Sequence, residues 1–226
     1  LRTIDEHEIT NTHLVPTQFV RMLRLDNDTR AAFRGASLAT VWHGAAPCSP
    51  DVKRGMIDWW GPKISEYYGS TESAIISSIS AEDWLAHPGS LGKPLDNVEI
   101  RVVKEDGSLA SAGEEGQLYF RSQMGTDFEY HKDPEKTRSA QHPEHPAWTA
   151  LGDVGYVDDE GFLYLTDRAS FMIISGGVNI YPQEIENELI MHPKVEDVAV
   201  VGVPHPEFGE EVKAVVQLVA GVAGDE

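Results

Sequence analysis

Pro182-Gln183-Glu184-Ile185-Glu186-Asn187-Glu188-Leu189-Ile190, followed by apolar runs at residues 198–203 and 214–219, decides the fold class. The first turn of a helix has no use for a proline's missing N–H, so Pro182 suits a helix start. Glu184 and Glu186 set negative charge near the positive amino end of that helix. Ile185, Leu189 and Ile190 share one face. The two runs that follow read as apolar strands. Strand–helix–strand units of this kind argue for an α/β chain with a second, small domain.

Further back, residues 154–157 and 162–165 flank Asp158-Asp159-Glu160-Gly161, a strong hairpin signal. Residues 98–103 and 116–121 alternate as strands, with a turn at Glu105-Asp106-Gly107-Ser108. Residues 129–146 are rich in charge, histidine and proline and read as an irregular surface connection. Residues 50–60 form a predicted helix, opened by Pro50 and closed by Gly61-Pro62. Residues 38–43 read as a buried strand that ends at Gly44-Ala45-Ala46-Pro47. Residues 16–25 suit an amphipathic helix carrying Phe19, Val20, Met22 and Leu23.

The composition excludes several functions. The formal net charge of -19 opposes nucleic-acid binding, which needs clustered Lys and Arg against phosphate, and docking on anionic lipid. No apolar run approaches the roughly 18 residues that would span a bilayer. Residues 1–8 are polar and show no secretory pattern. A single cysteine, Cys48, rules out a disulfide within the chain and a zinc–thiolate cage. These features point to a cytoplasmic protein. An acidic chain that binds nucleotide has to supply backbone donors, a metal ion or a few placed cations.

Tyr67-Tyr68-Gly69-Ser70-Thr71-Glu72 is the string richest in chemistry. Glycine lets a backbone come close, two hydroxyls can bond phosphate oxygens, and a carboxylate can hold Mg²⁺ directly or through water. A neighbouring tyrosine offers a flat face to a purine. Taken alone, the hexapeptide fits a turn with a helix cap equally well. Other residues read as structural: His131, His142 and His145 as a solvated loop, Trp59 and Trp60 as packing, Cys48 as inert. His43 falls beside Gly44 and also reads as structural, and Asp158-Asp159-Glu160 as a hairpin, not a calcium loop.

Read in order, these segments resemble the adenylate-forming (AMP-binding, acyl-CoA synthetase) superfamily. Gly44-Ala45-Ala46-Pro47 is similar to the family's small-residue segment beside the adenine and acyl pocket. Tyr68-Gly69-Ser70-Thr71-Glu72 matches its tyrosine-glycine-x-threonine-glutamate motif. Trp148-Thr149-Ala150-Leu151-Gly152-Asp153 resembles the tract whose aspartate binds ribose. Asp167-Arg168-Ala169-Ser170, with the string from Met172 through Ser175-Gly176-Gly177 to Glu186, resembles the hinge and the loop after it.

The resemblance implies the end of a large amino-terminal domain (an α/β sheet plus a distorted β-barrel) over residues 1–167. A truncated small α+β domain over 168–226 follows, with a hinge near Ser170. It implies that a carboxylic acid is activated by ATP, with Mg²⁺, to an acyl-adenylate, and that CoA then takes the acyl group. By the same likeness Thr71 contacts phosphate and Glu72 positions the metal. Asp153 receives both ribose hydroxyls, Arg168 reaches ribose or phosphates, and Tyr68 stacks on adenine. Ser175, Gly176 and Gly177 line the thiol passage; a plain glycine turn is the alternative. The Ile-Ser-Gly-Gly-Val-Asn-Ile-Tyr-Pro stretch favours the fatty- or aryl-acid CoA ligase branch over peptide-synthetase-type adenylation domains. The family's phosphate loop and late lysine do not occur in the chain, so the expectation is a fragment that does not adenylate alone. A non-catalytic binding protein of the same fold is the competing reading.

Overall fold

The computed structural model describes residues 1–123, 128–168 and 171–224. Side chains are described throughout these except at residues 167 and 168. The elements run α1 Arg2–Glu6, β1 Asn11–Leu14, α2 Pro16–Leu23, α3 Asn27–Ala32, β2 Thr40–His43, α4 Pro50–Trp60, β3 Ile64–Ser70 and β4 Ala74–Ile79. Next come α5 Ala81–Ala86, β5 Lys93–Pro94, β6 Val98–Val103, β7 Gly116–Ser122, α6 Pro134–Ser139, β8 Thr149–Val157 and β9 Leu163–Arg168. The chain closes with β10 Ile173–Ser175, β11 Val178–Ile180, α7 Pro182–Ile190, β12 Val195–His205 and β13 Gly209–Leu218.

Three sheets result. The first has the order β1-β2-β3-β4-β5, parallel from β1 to β3 and antiparallel after that. The second is the antiparallel meander β6-β7-β8-β9. The third, order β11-β10-β13-β12, is antiparallel and carries α7 against β12. This is the α/β body with a small α+β unit that the motifs implied.

The helices form where the chain chemistry demands. Pro50 opens α4, whose Val52, Met56, Ile57 and Trp60 are buried against Phe19, Val41, Ile64 and Trp84. Each such side chain contributes about 1.5–3 kcal/mol by leaving water. A second cluster, built on Ile76, Val102, Leu118, Phe120 and Leu163, joins the first two sheets. It fixes the meander against the end of β3.

Residues 129–146 contradict the expectation of an irregular connection, because α6 lies within them. The signature was present: Asp133 accepts from the N–H of Lys136 at 2.9 Å and Pro134 occupies the first turn. The dense charge around them masked it. Gly176 and Gly177 form the two-residue turn between β10 and β11, both at positive φ (57° and 81°). Glycine takes such turns without steric cost.

Candidate nucleotide site

The motif Tyr67 to Glu72 lies where β3 ends and turns back into β4. Alternation along β3 aims its two tyrosines at opposite faces. Tyr67 goes to the side of His13, whose Nε2 is 3.0 Å from its hydroxyl. A Cβ on Gly44 would stand 2.7 Å from the Tyr67 ring, so only glycine fits there. The segment Gly44-Ala45-Ala46-Pro47 therefore leaves β2 in contact with the motif. Gly69 is equally constrained, since a Cβ would lie 2.0 Å from the Ala74 carbonyl oxygen.

Tyr68 goes the other way. Its hydroxyl donates to a carboxylate oxygen of Asp153 on β8, and its ring lies 5.9 Å from that of Phe120. Asp153 is only 3% exposed. It is paired in register with Arg168 on β9, whose backbone thus lies alongside. The strand registers slip between Tyr68 and Gly69, and again between Val154 and Gly155. Such bulges re-aim side chains, and here they flank the two residues that meet.

The turn that follows β3 is tied by Ser70. Its hydroxyl oxygen accepts from the N–H of Glu72 at 3.1 Å and of Ser73 at 3.2 Å. Ser70 is thus occupied in shaping the turn, and Thr71 is its exposed hydroxyl. Glu72 Oε1 accepts from the Tyr130 hydroxyl at 2.9 Å. Partial burial is the largest influence on the Glu72 carboxyl and pushes its pKa up. Its own N–H, Ser70, Tyr130 and the Lys136 charge together outweigh that, so the pKa lies below the usual carboxylate value.

Mg²⁺ prefers hard oxygen donors and is commonly held by one or two carboxylates plus substrate phosphates. The ionised, partly exposed Glu72 fits that need. Among the described residues no group of three or more His, Cys, Asp or Glu could hold a metal by itself.

Backbone strain concentrates at the same place. Ala45, Ala74 and Lys132 are three of the four non-glycine residues at positive φ among those described. Each such conformation costs on the order of 1 kcal/mol, and persists where the surroundings enforce it. Ala45 follows Gly44, Ala74 closes the motif turn, and Lys132 follows Tyr130.

The structure thus brings together Gly44 to Pro47, Tyr68 to Glu72, Asp153 and the backbone of Arg168. Ser175, Gly176 and Gly177 stand apart from them in the third sheet, where Gly176 N–H donates to the Phe208 carbonyl at 2.9 Å. Ser170 lies outside the described residues.

Sequence reasoning missed Tyr130 and the charged pair beneath the site. Lys53 Nζ lies 2.5 Å from Glu66 Oε2, both buried, with His43 Nε2 3.6 Å from the same oxygen. Lys53 shares the core face with Met56, Ile57 and Trp60 at helical spacing, a signal that could have exposed it. His43 is buried, as expected of a structural residue, and burial first, then the Lys53 charge, lowers its pKa to about 3. Burial likewise raises the Cys48 thiol far above its ordinary value, consistent with an inert side chain.

The sequence profile of the AMP-binding enzyme family matches residues 1–126, and that of the AMP-binding enzyme C-terminal domain matches residues 184–226. The chain belongs to the AMP-binding enzyme family. It is 36% identical to the putative acyl-CoA synthetase YngI of Bacillus subtilis, over 98% of this chain and 40% of that protein. It is 33% identical to the medium/long-chain-fatty-acid–CoA ligase FadD8 of Mycobacterium tuberculosis, over 100% of this chain and 39% of that one.

Among solved structures, o-succinylbenzoate CoA synthetase (MenE) of Bacillus subtilis, in complex with its acyl-adenylate intermediate, superposes with a TM-score of 0.81. The identity is 30%, covering 98% of this chain and 44% of that one. The chain spans about 40% of the length of these curated relatives. None of its described helices is long and apolar enough to cross a membrane.

Proposed function

We propose that this AMP-binding chain contributes the nucleotide-binding part of a cytoplasmic acyl-CoA synthetase. Such an enzyme joins a carboxylic acid to CoA, with ATP converted to AMP and pyrophosphate. The observation that carries the reading is the meeting of Tyr68 and Asp153 beside the Ser70-to-Glu72 turn. It joins a buried carboxylate, an aromatic ring and a partly exposed carboxylate in one site.

In this reading Asp153 accepts from the ribose 2′ and 3′ hydroxyls, two donors that suit one carboxylate. Tyr68, steadied by its bond to Asp153, offers its ring to adenine, and Gly44 to Pro47 form the wall of the adenine and acyl pocket. The close packing required at Gly44 and Gly69 allows no intruding side chain. Thr71 donates to phosphate, and Arg168 supplies a fixed cation towards ribose or phosphate. Glu72 would hold Mg²⁺, which offsets charge on the polyphosphate as the acid's oxygen attacks the α-phosphorus and pyrophosphate leaves. A CoA thiol then displaces AMP from the acyl-adenylate.

The small domain is taken to begin at residue 168 and to pivot near Ser170 between the two half-reactions, bringing Ser175 to Gly177 to the thiol's path. A fatty acid is the leading substrate class and an aryl acid the second. Because the chain covers only about 40% of its relatives, it is expected to bind nucleotide without activating acid alone.

Acid-dependent ATP–pyrophosphate exchange tests this, with fatty and aryl acids offered to the protein that carries this chain at the length of its relatives. Exchange with one acid class that falls in Glu72→Ala, and thioester on adding CoA, supports the reading. Folded protein that binds ATP but exchanges with no acid supports the non-catalytic alternative.

A further inference from the structure

Tyr130 lies outside the motifs, in the stretch just before α6, and several contacts hold it there. Its N–H donates to Thr137 Oγ1 at 3.0 Å, and the Thr137 hydroxyl donates to the Asp133 carbonyl at 2.9 Å. The Asp133 N–H returns to the Tyr130 carbonyl at 3.0 Å. Lys132, at φ 58°, makes the turn between them. Lys136 Nζ sits 4.2 Å from the centroid of the Tyr130 ring, and the Phe128 ring meets it edge-on at 5.4 Å. These partners lie in α6 or in the stretch just before it. The phenol extends from that platform to Glu72, 58 residues earlier in the chain.

We infer that Tyr130 is a positioning residue: its hydroxyl fixes the Glu72 carboxylate in the orientation in which it receives a metal–polyphosphate. The inference rests on the proposed role of Glu72. A glutamate side chain has three rotatable bonds, and ordering it on binding costs affinity. A hydroxyl on a rigid arm fixes the orientation beforehand. An ionised carboxylate has about four acceptor sites, so one donated hydrogen bond leaves others for a cation or its water. The phenol meets the site at Glu72, the residue proposed to hold the metal, whereas Asp153 and Tyr68 are the proposed nucleoside contacts. Loss of its hydroxyl is therefore expected to act on ligands that bring a metal.

The test compares the chain with Tyr130→Phe, Glu72→Gln and the double variant. Binding of AMP without metal and of Mg²⁺·ATP is measured by calorimetry, and amide exchange is followed at residues 70–74. Tyr130→Phe is expected to weaken Mg²⁺·ATP about tenfold, the scale of one hydrogen bond to a charged group. AMP affinity and the thermal midpoint stay unchanged, and Tyr130→Phe adds nothing in the Glu72→Gln background. Equal Mg²⁺·ATP affinity for wild type and Tyr130→Phe overturns the inference while leaving the nucleotide site intact. So does a loss shared equally by AMP and Mg²⁺·ATP, or accompanied by faster exchange of the turn, which marks a structural role. If the wild-type chain binds neither ligand, the proposed function itself fails, and with it the premise of the inference. Thr137→Val, which releases the Tyr130 N–H and leaves the phenol in place, is expected to give the same metal-specific loss at smaller size. An unchanged Mg²⁺·ATP affinity in Thr137→Val speaks against the rigid arm.

Discussion

Replacing Lys53 by methionine is the perturbation whose consequence is best defined by the structure. Its ammonium is buried, 2.5 Å from Glu66 Oε2 and 4.9 Å from the centroid of the Trp84 ring. Burial dominates both groups: it lowers the pKa of Lys53 and raises that of Glu66, while each partner's charge pulls the other part of the way back. Removing the lysine leaves Glu66 buried without its cation, which costs about 3–5 kcal/mol. The whole chain is stable by about 5–15 kcal/mol at most domain sizes, so the variant loses a large share.

Converting both residues, Lys53→Met with Glu66→Leu, removes both desolvated charges. The double variant is expected to equal the wild type or exceed it by about 1–4 kcal/mol. Urea unfolding followed by the fluorescence of Trp60 and Trp84, both buried in the same cluster, measures each. The pH dependence gives a second check. Without Lys53, the folded state holds Glu66 protonated to a higher pH than the unfolded chain does. The stability this confers is present at low pH and lost as pH rises, so the cost of Lys53→Met is larger at pH 8 than at pH 5. A double variant as unstable as the single one would refute the pairing, as would a Lys53→Met variant with no loss.

Two further outcomes follow from individual contacts. His43 has a folded pKa of about 3, against about 6.5 when unfolded, with Lys53, Glu66 and His13 as the charged or titratable groups around it. Its contribution is full above pH 6.5 and is lost as pH falls from there towards 3. Between pH 7.5 and 5 that amounts to about 2 kcal/mol, and His43→Leu should flatten the change in urea-derived unfolding free energy over this range by that amount. Arg24 donates to the carbonyls of Ile190, at the end of α7, and Glu196 at 2.9 and 3.5 Å. Arg24→Ala should cost about 1 kcal/mol and speed amide exchange in α7 and β12 while leaving α4 unchanged.

The sequence made the elements legible wherever local chemistry is decisive. The bounds of α4 follow from Pro50 and Gly61, and α7 starts at Pro182. The same held for the hairpin at Asp158, whose carboxylate accepts from the N–H groups of Glu160 and Phe162. The motif residues could be named because glycine, hydroxyl and carboxylate at fixed spacing are local facts. What stayed hidden depends on contacts distant in sequence. Tyr130 reaches Glu72 only because α6 and the motif turn meet in space. Lys53 is paired only because β3 brings Glu66 beneath α4. The sequence offers Ser70 as a phosphate-binding hydroxyl, but it does not show that in the folded turn the same oxygen accepts from two backbone N–H groups.

The central claim is that the meeting point of Tyr68, Asp153 and the Ser70-to-Glu72 turn is a nucleotide site. AMP binding to this chain tests it most directly, measured by equilibrium dialysis for the wild type, Asp153→Asn and Glu72→Gln, with folding verified by circular dichroism. The expected result is saturable binding at one site, lost by at least tenfold in Asp153→Asn and retained in Glu72→Gln. Folded chain that does not bind AMP, or that binds it equally with Asn at position 153, would contradict the claim.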